Sequence, residues 1–86
     1  MLLAETAAHA QGCIAVRSRS YIFYVPPENQ QFTYCTLLQS SPAVNVARDR
    51  GFEIKCRVRR GGFKLEANAA SVAWLYTRSD MLRLVG

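Results

Sequence analysis

The clearest alternation of apolar and polar positions lies in "FEIKCRV" (52–58), where Phe52, Ile54, Cys56 and Val58 fall on one face and predict a half-buried strand. Gly61 and Gly62 follow. A two-residue turn of type I′ needs positive φ at both positions, which glycine supplies without steric cost. The return strand then runs over "FKLEA" (63–67), and this turn pairs Arg60 with Phe63, Arg59 with Lys64, Val58 with Leu65, Arg57 with Glu66 and Cys56 with Ala67. The register places the apolar residues of both strands on the same face.

Upstream, "CIAVRSRSYIFYV" (13–25) is rich in β-branched and aromatic residues and predicts one long bent strand or two short ones broken within residues 17–20. "PPENQQ" reads as a turn, because proline cannot donate to a ladder. "FTYCTLL" (32–38) predicts a returning strand. A helix follows, with Ser41 as its cap, Pro42 at the first helical position and Gly51 as its stop. Asn68 caps a second helix, in which Val72, Leu75, Tyr76 and Ser79 recur at helical spacing. The tail "MLRLVG" continues this helix or forms a last short strand, and the first dozen residues read as a short helix or irregular arm. The pattern gives a single α+β domain over residues 1–86: an antiparallel sheet of about four strands in ββαββα order, with two helices on one face.

Composition narrows the class. The chain has 86 residues, half of them apolar and a fifth charged, which excludes disorder. A domain of this size buries only about 60–65% of its unfolded surface, so the apolar excess suits a homodimer or docking onto a larger partner. No run approaches the roughly 20 apolar residues that span a bilayer, and the start lacks the features of a secretory signal. The expectation is a cytoplasmic protein without membrane contact. Cys13, Cys35 and Cys56 then read as reduced, buried small hydrophobes. A zinc site from His9 and these three cysteines is disfavoured, because the close Cys-x-x-Cys pairs of structural sites are missing. No metal or cofactor is expected.

Charge adds the functional candidate. Residues 48–64 hold seven cations (Arg48, Arg50, Lys55, Arg57, Arg59, Arg60 and Lys64) against Asp49 and Glu53, so the whole net charge of +5 lies in this segment. Nine of the eleven cations are arginine, whose planar fork suits phosphate and carboxylate. Bland readings exist for each group. Arg48 and Arg50 favour the dipole at a helix C-terminus, and a charged hairpin guards a sheet edge. The functional reading is a basic finger that grips a polyanion, since a two-stranded ribbon fits the major groove of DNA. A weaker second candidate is Arg17, Arg19, Tyr21 and Phe23, which share a face if their strand is unbroken. Cations interleaved with aromatics hold single-stranded nucleic acid, although buried aromatics are the ordinary case.

An enzyme is disfavoured. His9 is the one histidine, the six acids are scattered, and there is no phosphate loop or dinucleotide fingerprint. The expected function is therefore a small non-enzymatic module that engages nucleic acid. The alternative is an inhibitor or adaptor, of the kind phages and mobile elements encode, docking on an acidic protein surface. A third reading is a ribonuclease-like toxin working with Arg, Lys and Tyr.

Overall fold

The computed structural model describes residues 4–5 and 13–78. Five strands and three α-helices follow in the order β1 (Ala4–Glu5), β2 (Ile14–Arg17), β3 (Tyr21–Val25), α1 (Gln31–Gln39), α2 (Pro42–Asp49), β4 (Lys55–Arg59), β5 (Gly62–Glu66) and α3 (Ala69–Tyr76). The sheet is antiparallel throughout, in the order β1-β2-β3-β5-β4. The α+β class, an antiparallel sheet of about four main strands and a layer of helices match expectation, although the strand expected over residues 32–38 is a helix. At the N-terminus, Ala4 and Glu5 form a short strand against β2; the rest of the first dozen residues, expected as a short helix or arm, lies outside the described residues. The tail beyond residue 78 lies outside the described residues.

The inner face of the sheet carries Ala15, Ile22, Tyr24, Phe63 and Leu65, each at most 1% exposed. Against it pack Tyr34, Cys35 and Leu38 of α1, Ala43, Val44 and Ala47 of α2, and Val72 and Leu75 of α3. Tyr24 and Phe63, which pair across β3 and β5, stack with ring centroids 5.1 Å apart. Burying these side chains is the main stabilising contribution, about 1.5–3 kcal/mol for each large apolar one.

Both predicted helices form for the expected reasons. The Ser41 hydroxyl accepts from the Val44 N–H, and Pro42 opens α2. Gly51, with φ of 86°, closes it. The Gly51 N–H donates to the Arg48 carbonyl and the Phe52 N–H to the Ala47 carbonyl, the paired bonds of a Schellman stop. The Asn68 side chain accepts from the Ser71 N–H at 2.8 Å and caps α3.

Residues 32–38 are helical, not a strand. Tyr34, Cys35 and Leu38 are the buried positions, the i, i+1, i+4 spacing of one helix face. The β-favouring composition is overridden because β5 already fills the place beside β3. This helix also overturns the expectation of three reduced cysteines. With α1 lying over β4, Cys35 and Cys56 come within 5.8 Å, Cα to Cα, and form a disulfide. Cys13 is free and buried.

The hairpin exists, but its register is displaced. The pairs are Arg59–Gly62, Val58–Phe63, Arg57–Lys64, Cys56–Leu65 and Lys55–Glu66. Arg60 and Gly61 are therefore the two turn residues, and only Gly61 has positive φ, at 78°. Type I′ is excluded. Gly62 is needed in the strand itself: a Cβ there would stand 2.7 and 2.8 Å from Cζ and Cε2 of Phe23, and closer still to the Tyr24 carbonyl oxygen.

A candidate binding face on the open side of the sheet

All three described helices pack on the inner face, so among the described residues nothing packs over the outer face of β2, β3, β5 and β4. Side chains alternate along each strand and register neighbours share a face. The outer set is therefore Ile14 and Val16 on β2, Tyr21, Phe23 and Val25 on β3, Gly62, Lys64 and Glu66 on β5, and Lys55, Arg57 and Arg59 on β4. One row crosses all four strands through the pairs Val16–Phe23, Phe23–Lys64 and Lys64–Arg57. Along it the surface passes from aliphatic to aromatic to cationic.

The apolar half forms a shallow groove of about 310 Å³ lined by Val16, Tyr21, Phe23, Val25 and Lys64. Its neighbour Ile14 is 46% exposed and Val25 37%. Phe23 leans across onto Gly62 and, with the Tyr24 carbonyl, leaves that position no room for a side chain. The Lys64 ammonium lies 4.3 Å from the centre of the Tyr21 ring, a cation–π contact that holds the charge at the edge of the groove.

On the cationic half, Nε of Arg57 donates to Oε1 of Glu66 at 2.7 Å. The pair is diagonal, because Glu66 faces Lys55 and Arg57 faces Lys64. Two like charges directly opposite are destabilising by a few tenths of a kcal/mol. Lys55 and Arg59 flank Arg57 along β4, and both are exposed. A second, more polar cleft of about 390 Å³ is lined by Gly51, Glu53, Lys55, Glu66, Ala67 and Asn68. There acid and base are mixed and no one charge is concentrated. Among the described residues no cluster of three or more His, Cys, Asp or Glu is placed to hold a metal.

The structure divides the candidate residues. Lys55, Arg57, Arg59, Lys64, Tyr21 and Phe23 come together on the outer face. Arg60 sits in the β4–β5 turn and Arg19 in the turn between β2 and β3, both exposed. Three cations are drawn to the helix side. Arg17 lies over the Tyr76 ring at 5.5 Å and Arg50 over Trp74 at 5.3 Å. Arg48 donates from its two terminal nitrogens to the Gln39 and Ile54 carbonyls, at 3.1 Å each, tying the end of α1 to the approach of β4.

Arg17, Arg19, Tyr21 and Phe23 do not share a face, because the strand breaks after Arg17 and the Ser18 N–H closes the turn on the Tyr21 carbonyl. Arg17 then pairs with the inward-facing Ile22. The same turn resets the alternation, so Ile14 and Val16 join the aromatics on the outer face; reading "RSRS" as a tight turn would have found them. The hairpin is also no free finger, since β5 is paired along its length with β3. Its cations belong to a sheet surface.

No protein family matches this chain, and no curated protein or solved structure matches it either.

Proposed function

We propose that the chain is a non-catalytic module that binds nucleic acid, with Lys55, Arg57, Arg59 and Lys64 as its phosphate contacts and Arg60 at the margin. The observation that carries this reading is the cross-strand placement of Lys64 opposite Arg57 on a face that none of the described helices covers. Four cations gather there with Glu66 as the one acid on the same strand faces, a juxtaposition that a bound anion converts from repulsive to favourable. A cytoplasmic setting goes with such a ligand, and among the described residues no helix is long and apolar enough to cross a membrane.

The test is fluorescence anisotropy of labelled oligonucleotides across a salt series. Four phosphate contacts should make log Kobs fall by about 2.8 per log unit of salt on single strands and about 3.6 on duplex. Replacing Arg57, Arg59 and Arg60 together by glutamate should abolish binding while the Tm changes little. Absence of binding even at low salt would overturn the reading. The second reading is docking on an acidic protein, which the 76% exposure of Phe32 on α1 favours; large aromatics of that kind anchor protein interfaces.

A further inference from the structure

We infer that the groove beside the cations holds an unpaired base, stacked on Phe23, so that the ligand is single-stranded. This rests on the nucleic-acid reading above. The outer face is divided along the axis of a nucleotide: Val16, Phe23 and Val25 offer apolar and aromatic surface, and one and two strands beyond Phe23, Lys64 and Arg57 offer positive charge. Adjacent strands lie about 4.8 Å apart, so a nucleotide with its base against Phe23 reaches the Lys64–Arg57 pair with its phosphate. A duplex cannot use both halves, because its bases are stacked inside and it presents a charged backbone. The apolar half would then face nothing.

Phe23 rather than Tyr21 is the stacking ring. The Lys64 ammonium already occupies one face of Tyr21. The tip of the Phe23 ring instead reaches into the space a Gly62 Cβ would fill, and Phe23 lines the groove. Lys64, which pairs with Phe23 across β3 and β5 and holds its ammonium over Tyr21, is poised to meet the phosphate of the stacked nucleotide. Base–aromatic stacking tolerates every base, each having a π-face, so the site should select strandedness above sequence.

Three labelled probes of equal length test this: a short oligothymidylate, the same backbone with abasic sites in place of its bases, and a duplex. The intact single strand should bind about 10-fold to 100-fold more tightly than the abasic strand, the range that stacking of one base supplies. Phe23→Leu, which keeps apolar bulk and removes the ring, should bring the intact strand to the abasic level while leaving the abasic affinity and the salt slope unchanged. Equal affinity for intact and abasic strands overturns the inference, and that comparison needs no variant to fold. If the abasic strand and duplex bind as well as the intact strand and the arginine replacements abolish all three, the nucleic-acid reading stands and only the stacked base falls. If no probe binds, both fall.

Discussion

Alanine substitution at the two neighbouring glycines of the β4–β5 turn should have unequal consequences. Gly61 has φ of 78° and open space where a Cβ would go. Gly61→Ala therefore carries only the cost of an L-residue in the left-handed region, about 1–2 kcal/mol. Gly62 is not in that region, but its missing Cβ would lie 2.7 Å from Phe23 and against the Tyr24 carbonyl. A ring can swing aside; a ladder carbonyl moves only if β3 separates from β5. Overpacking costs about 1–3 kcal/mol, and each ladder hydrogen bond loosened adds about 1 kcal/mol, so Gly62→Ala should lose about 2–4 kcal/mol. At about 4–8 °C per kcal/mol for a domain of this size, its Tm should fall roughly twice as far as that of Gly61→Ala. Thermal unfolding followed by far-ultraviolet circular dichroism measures both. Equal losses would mean that both glycines occupy the turn with positive φ, and the register described here would be wrong.

Reduction of the disulfide, or Cys35→Ser with Cys56→Ser, should lower stability by about 3 kcal/mol in urea titrations, since the cross-link closes a loop between residues 21 apart; cytosolic thiols are normally kept reduced, so a cytoplasmic role requires the fold to survive this loss, and an unchanged midpoint would show that the bridge is dispensable. Burial raises the Cys13 thiol from its ordinary 9.0 to about 12. Below pH 9 the thiol is neutral in both states; between these values the unfolded chain ionises and the folded one does not, so stability should fall with rising pH. Cys13→Ala should flatten that slope relative to the wild type, and identical slopes would contradict the assignment. The Tyr24 hydroxyl, also raised by its burial, acts in the same direction and is common to both proteins. Arg48→Lys keeps the charge but loses the fork that joins Gln39 to Ile54; it should cost about 1 kcal/mol in urea unfolding without changing nucleic-acid affinity, whereas weakened binding at full stability would return Arg48 to the site.

Features written in short stretches were legible. The caps at Ser41 and Asn68, the stop at Gly51 and the existence of the hairpin each depend on a few adjacent residues. The register was not, because moving both glycines into the turn changes the pairing by two residues and leaves every side chain on the same face. Alternation is blind to that slip; the contact between Gly62 and Phe23, far apart in the chain, decides it. Residues 32–38 failed for a related reason. Phe32, Thr33, Tyr34 and Thr36 favour strands by composition, but a strand needs a neighbour, and the open position beside β3 goes to β5. Of the candidate site, the cations of the hairpin could be read from residue type and spacing. The departure of Arg17, Arg48 and Arg50 to the helix side depends on packing partners that no local pattern reveals.

Trp74 has a consequence for observing this molecule. It is the one tryptophan of the chain, half-buried on α3 and flanked by the guanidinium groups of Arg50 at 5.3 Å and Arg78 at 4.9 Å. Its indole emission is set on the layer opposite the open face, so it reports loss of the helix layer and stays silent when a ligand covers Phe23. A labelled oligonucleotide reports the other side. The two optical channels can be read from one cuvette, and each variant then separates a damaged fold from a damaged surface without a second preparation.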